Sequence, residues 1–151
     1  MSMQIKNKTY KYLDGSKLKG CIVVARWNNA ITDKLLTEAF QALKKCKMPE
    51  KNIRIVYVAG SVELPFALNK LALSKKYDFL VALGCVVKGE TPHFDYVCKM
   101  AQEGILEVML EENIPVGFGV LTVNNIRQAR ARIHVGAESA LAALELALLK
   151  Q

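Results

Sequence analysis

No apolar run in this chain is long enough to span a bilayer, and its first residues do not read as a signal peptide. Those absences argue against a membrane role and lead us to expect a cytoplasmic protein. The four cysteines, Cys21, Cys46, Cys85 and Cys98, form no Cys-x-x-Cys pair and no Cys/His spacing suited to zinc. Three of them lie in apolar segments, so they read as reduced core thiols, not as disulfides or metal ligands. Linkers, low-complexity tracts and internal repeats are also missing. The 151 residues are therefore expected to form one domain, 1–151, around a hydrophobic core. The net charge of +7 suits an anionic ligand. It does not mark a nucleic-acid surface, because the lysines are scattered, and Lys44-Lys45 and Lys75-Lys76 read as solvated helix ends.

What the chain has in excess is apolar surface. Hydrophobic residues make up 52% of it, above the usual share, which fits an extra buried surface such as a subunit interface. A continuous apolar run from Gly20 to Ala25 predicts a strand covered on both faces, Ile53 to Val58 predicts a strand rich in β-branched residues, and further strands are predicted at Asp78 to Val87 and Val116 to Thr122. Between them, Ile31, Leu35, Leu36, Ala39, Phe40 and Leu43 have helical spacing. A second helix is predicted from Leu64-Pro65 to about Lys76 and a third from Pro92 to about Glu112. Asn124 is expected to cap a short helix reaching about Arg132, and Gly136 to precede a last helix rich in Ala and Leu. Strands that alternate with helices in this way predict a parallel sheet with helices on both faces. Met3 to Tyr10 alternates in character and predicts a further short strand at the N-terminus.

In such folds ligands bind beyond the carboxyl ends of the strands. The unusual polar and aromatic residues fall on that edge. After the third strand, Gly89 precedes Thr91-Pro92, a natural start for a helix with Thr91 as cap and Pro92 in the first turn. The free N–H groups of a helix start favour an anion. His93 follows at once, in the first turn of that helix. It suits a proton shuttle for a phosphorylated substrate, and it also suits an ordinary surface position. Trp27, the only tryptophan, suits stacking on a heterocycle and equally suits covering the core edge. Glu63 fits hydrogen bonds to a polyol, or a plain first-turn carboxylate. One of Arg127, Arg130 and Arg132 could pair with phosphate, or all three could form a solvated face.

Four stretches carry a resemblance: Arg26-Trp27-Asn28; Val58 to Pro65 (VAGSVELP); Gly84 to Val97 (GCVVKGETPHFDYV); and Pro115 to Thr122 (PVGFGVLT). Together with the ending Gly136 to Glu145, they resemble 6,7-dimethyl-8-ribityllumazine synthase, in the family's order and spacing, over nearly the whole chain. The resemblance implies the penultimate step of riboflavin biosynthesis. That step condenses 5-amino-6-ribitylaminouracil with 3,4-dihydroxy-2-butanone 4-phosphate, without a metal or organic cofactor. It implies an α/β three-layer αβα sandwich, flavodoxin-like, with a four-stranded parallel sheet. It also implies pentamers, free or closed into an icosahedral 60-mer, with the N-terminal strand added to a neighbouring subunit's sheet and riboflavin synthase as a partner.

By the same resemblance, Trp27 and Asn28 bind the pyrimidine side, and Phe118 reaches over from a neighbouring subunit. Ser61, Val62 and Glu63 line the uracil and ribityl side, and the backbone of Val86 and Val87 meets the pyrimidine edge. Gly89, Glu90 and Thr91 cradle the phosphate, assisted by Arg132 from the neighbour, and His93 shuttles protons. The chain departs from the family after Arg132. A loop is shortened by several residues, and Val135 stands where the family has a lysine at the phosphate end of the site. A non-catalytic shell protein of the same fold is the first alternative, and a flavodoxin-like binding module the second.

Overall fold

Strands β1 (Gly20–Ala25) and β3 (Phe79–Val87) are aliphatic, aromatic or sulfur-bearing at every position except one glycine each, so both their faces must be covered. They lie side by side in the middle of a parallel sheet of order β2-β1-β3-β4, with β2 (Ile53–Val58) and β4 (Val116–Val123) at the edges. A parallel connection needs a crossover, and three helices supply it: α1 (Asn29–Lys45), α2 (Leu64–Leu73) and α3 (His93–Glu111). After β4 come α4 (Ile126–Arg130) and α5 (Val135–Ala147). The structure is a computed structural model and describes residues 13–149. The predicted strand at Met3 to Tyr10 lies outside the described residues.

The helices divide between the two faces. Ile31, Leu35 and Leu43 of α1, Ala129 of α4 and Leu144 of α5 pack on Ile22, Val24, Val81, Leu83 and Leu121. On the opposite face, Leu64 and Leu68 of α2 and Ile105 and Val108 of α3 pack on Cys21, Val23, Leu80, Ala82 and Val120. Strand residues thus alternate between the two cores, and the result is the α/β three-layer sandwich expected from the alternation of elements. The thiols belong to these cores. Burial pushes the Cys21 thiol up to about 12 and the Cys85 thiol up to about 11, so neither supplies a thiolate near neutrality. No helix among the described residues is long and apolar enough to cross a membrane.

The strands end unevenly, and that unevenness makes the site. The last pairing of β1 with β3 is Val24 with Leu83, whereas β3 continues beside β4 to the pairing of Val87 with Val123. The sheet therefore has a step at its carboxyl edge, with β1 and β2 low and β3 and β4 high.

Several boundaries differ from the sequence expectation by a few residues, each for a local reason. Helix α2 stops at Leu73 because the Ser74 hydroxyl donates to the Leu71 carbonyl at 2.6 Å and Lys75 turns left-handed at φ 60°. Helix α4 is capped by Asn125, not Asn124. The Asn125 side chain accepts from the Gln128 N–H at 3.0 Å, and the Gln128 side chain accepts from the Asn124 N–H at 2.8 Å, a reciprocal cap.

Gly136 does not precede α5 but lies within its first turn, where α5 crosses α1. A Cβ there would collide with the backbone carbonyl of Leu35. Helix propensity alone would favour Ala at this position by about 1 kcal/mol. The collision is with backbone, which cannot swing aside, and overpacking of this kind costs about 1–3 kcal/mol. Gly136→Ala is therefore expected to destabilise the fold by about 1–2 kcal/mol in urea unfolding, despite its better propensity. A variant as stable as the parent would show that α1 and α5 can move apart freely.

Candidate active site

Three strand-to-helix turns close around the low side of the step. The first is Arg26-Trp27-Asn28, between β1 and α1. Its path is set by backbone bonds: Arg26 N–H donates to Val58 O at 2.8 Å and Trp27 N–H to Ala59 O at 2.9 Å, both toward the end of β2. Asn28 then takes a left-handed conformation, φ 61° and ψ 44°, which asparagine tolerates better than most residues. Its carbonyl accepts from Ile31 and Thr32 N–H and starts α1. The indole of Trp27 projects from this bend and is 74% exposed, so it does not serve as core cover.

The second turn, Ala59 to Glu63, contains one 3-10 turn at Ser61–Glu63. Ser61 is buried against β3 because Gly84 carries no side chain; a Cβ there would stand 2.5 Å from the Ser61 hydroxyl. The Glu63 carboxylate is exposed and reaches back over Gly60. The third turn leaves β3 after Val87. Lys88 N–H donates to Val123 O at 2.9 Å, which keeps the chain beside β4 for one more residue. Gly89, Glu90 and Thr91 are exposed, and a Cβ on Gly89 would meet nothing within 4 Å, so open space faces its backbone. The Thr91 hydroxyl accepts from the His93 N–H at 3.4 Å. Helix α3 begins at His93, one residue beyond the predicted Pro92, so the cap position falls on Pro92, which has no side-chain cap bond, and not on Thr91 as expected.

The three turns enclose one open cleft of about 480 Å³. Trp27, Asn28, Ser61, Val62, Glu63, Val86, Val87, Gly89, Thr91 and His93 line it together. Their sequence separation is wide, and the strand ends alone bring them together. Three other expected site residues do not line this chain's own cleft. Glu90, exposed on the same turn, is not among the lining residues. Phe118 stands 44% exposed on the edge strand β4. Arg132 is exposed beyond α4, and its guanidinium donates to the Gln128 carbonyl at 2.9 Å.

The sequence reading missed Phe94 and Val97, whose half-buried side chains complete the apolar wall beneath His93. Their spacing of three on one helix was the available signal. Among the described residues no cluster of His, Cys, Asp and Glu is arranged to hold a metal ion. The cleft therefore combines a flat aromatic, an apolar floor with exposed strand backbone, a carboxylate, and a helix start beside an imidazole. That set suits a heterocycle carrying a polyol, held next to an anion.

The shortened segment is visible as well. Only residues 131–134 separate α4 from α5, closed by backbone bonds from Val135 N–H to Arg132 O and Gly136 N–H to Ile133 O. Val135 is half-buried and packs against the core on the α1 side, so it adds apolar contact there in place of a charge.

Comparison with known proteins points the same way. A family model described as 6,7-dimethyl-8-ribityllumazine synthase matches residues 17–151. Among curated proteins, 6,7-dimethyl-8-ribityllumazine synthase of Desulfovibrio desulfuricans is 44% identical over 138 residues, covering 88% of each chain. The protein of the same name from Clostridium kluyveri is 44% identical over 142 residues, 91% of this chain and 92% of its own. That of Kosmotoga olearia is 41% identical over 142 residues, 91% of each. With a match that runs through all four strands and the cleft between their ends, this chain belongs to the 6,7-dimethyl-8-ribityllumazine synthase family.

Proposed function

We propose that the chain condenses 5-amino-6-(D-ribitylamino)uracil with 3,4-dihydroxy-2-butanone 4-phosphate to 6,7-dimethyl-8-ribityllumazine, the penultimate step of riboflavin biosynthesis, in the cytoplasm. The observation that carries this reading is the opening of the α3 start, with His93 beside it, into the same cleft as Trp27. An anion site and a heterocycle platform in one 480 Å³ space match a phosphorylated ketone meeting a pyrimidine.

The roles proposed for the residues are those that the resemblance implies, and the geometry of the cleft is compatible with them. Trp27 stacks on the pyrimidine. Past the end of β1, the N–H and C=O of Val87 point to the side where the neighbouring strand has stopped, and they meet the pyrimidine edge with Val86 adjacent. Ser61, Val62 and Glu63 hold the uracil and ribityl groups. The N–H groups around Gly89, Glu90 and Thr91 hold the phosphate. The 5-amino group attacks the ketone, and loss of water gives an imine. The proton on C3, next to the imine carbon, is then removed and phosphate leaves from C4, and the resulting enol tautomerises to a ketone at C3. The ribityl-bearing nitrogen closes the ring on this new carbonyl with loss of a second water. Two waters and one phosphate thus depart for each lumazine formed. His93 takes and returns the protons in the imine and elimination steps.

The assembly reading rests on surface. On α3, Tyr96, Met100, Leu106 and Leu110 are exposed within about one third of the helix circumference. On α2 in the same layer, Phe66 and Leu73 are exposed too. Large apolar groups gathered on one layer mark an interface. Rings of five subunits, free or closed into an icosahedral shell, cover them, and Phe118 and Arg132, outside their own cleft, reach the next one. Riboflavin synthase, which consumes the product, is the partner of the shell.

Three outcomes are expected. With both substrates present the protein releases phosphate and lumazine in equal amounts, read by mass spectrometry, and with either substrate alone it releases neither. An assembled ring that binds the pyrimidine without turnover would replace the enzyme by a scaffold. His93→Ala is expected to slow turnover by about 10²-fold, at the low end for acid–base help, with binding of both substrates retained. Unchanged turnover in a well-assembled variant would remove His93 from the mechanism. Trp27→Ala is expected to weaken the pyrimidine about two- to tenfold and leave the butanone phosphate unaffected. Equal weakening of both would sink the stacking role.

A further inference from the structure

The path of β1 leaves one backbone acceptor without its regular partner. In a continued parallel ladder, two residues beyond the pairing of Val24 with Leu83, the Trp27 N–H would donate to the Cys85 carbonyl. It does not, because Trp27 turns away and donates to Ala59 O at 2.9 Å. The Cys85 carbonyl belongs to a buried residue, and an unpaired buried carbonyl is costly. The side chain of Asn28 makes up the missing rung: Nδ2 donates to Cys85 O at 2.7 Å in a part-buried setting. Asn28 also supplies the left-handed bend and the carbonyl that starts α1. Trp27 is therefore pinned on both sides, to the end of β2 through its own N–H and to the end of β3 through its neighbour's amide.

We infer that Asn28 is a positioning residue for Trp27. By bridging to Cys85 it fixes the angle at which the indole stands over the cleft, and so it sets the affinity for a flat heterocycle without acting on the phosphate end. The inference rests on the stacking role given to Trp27 above.

Two variants separate the side-chain bridge from the backbone bend. Asn28→Gly keeps the left-handed conformation at no steric cost and removes the amide. Asn28→Asp keeps the size and replaces the donor by an oxygen facing a carbonyl oxygen. Trp27 is the only tryptophan, so its fluorescence reports on this one side chain. In both variants the ligand-free protein is expected to show lower steady-state Trp27 anisotropy at an unchanged native mass. KM for the pyrimidine should rise about two- to tenfold, while KM for the butanone phosphate and kcat at saturation stay within twofold. Parent-like anisotropy and KM in Asn28→Gly would overturn the inference, since the bend alone would then suffice. A parallel rise in both KM values, or loss of the native assembly in both variants, would overturn it too, by showing a general structural role. Lower anisotropy with no change in either KM would uphold the hold on Trp27 and refute the stacking reading instead.

Discussion

The step at the carboxyl edge of the sheet is the constraint on which the rest depends. Because β1 drops out of the ladder after Val24 while β3 runs on to Val87, a strip of β3 backbone faces a gap in place of a strand. A gap beside backbone N–H and C=O groups is unstable unless something pairs with them. The chain answers with side chains from three turns: Asn28 pairs one carbonyl, Ser61 packs where Gly84 leaves room, and Phe94 and Val97 wall the far side. What is left open is the cleft of about 480 Å³. The same step puts the start of α3, with its free N–H groups, at one end of the gap. The site and the fold thus share one origin, and strand length does most of the positioning.

A second consequence is that a single chain does not close its own cleft. Its openness is consistent with completion by another subunit, as are Phe118 and Arg132 lying outside it. The exposed apolar residues of α2 and α3 give such a neighbour something to bind. The short connection between α4 and α5 belongs to the same picture. With only residues 131–134 between the helices, Arg132 sits on a tight turn and Val135 joins the core. On the proposed reading, phosphate binding leans on the helix start and on Arg132 without help at position 135.

Much of this was legible in the sequence, for identifiable reasons. Strands β1 and β2 were predicted to the residue, β1 because its run is unbroken and apolar and β2 because β-branched residues fill most of it between Asn52 and the Ala59-Gly60 turn. The strand-end location of the site followed from alternation alone. Helix ends were less legible, because they depend on single side-chain bonds: Ser74 to Leu71 ends α2, and the reciprocal cap of Asn125 and Gln128 shifts α4 by one residue. Gly136 read as a breaker, yet it serves a helix crossing, which requires knowing that α1 lies against α5. The bridge from Asn28 to Cys85 spans 57 positions, and no local pattern announces it. Phe94 and Val97 were not singled out, because the cleft that they wall exists only in three dimensions.

The central claim is that the strand-end cleft is the active site and that an adjacent subunit completes it. Subunit mixing tests it most directly. One chain carries His93→Ala and Trp27→Ala in the cleft, and the other carries Phe118→Ala and Arg132→Ala on the surface assigned to the neighbour. Each alone forms rings in which every site is damaged. Unfolding and reassembling an equal mixture leaves about a quarter of the sites with an intact cleft beside an intact neighbour, as cyclic symmetry requires. The account predicts turnover in the mixed rings well above that of either parent. Turnover equal to the mean of the two parents would contradict it, placing all four residues in the service of their own chain.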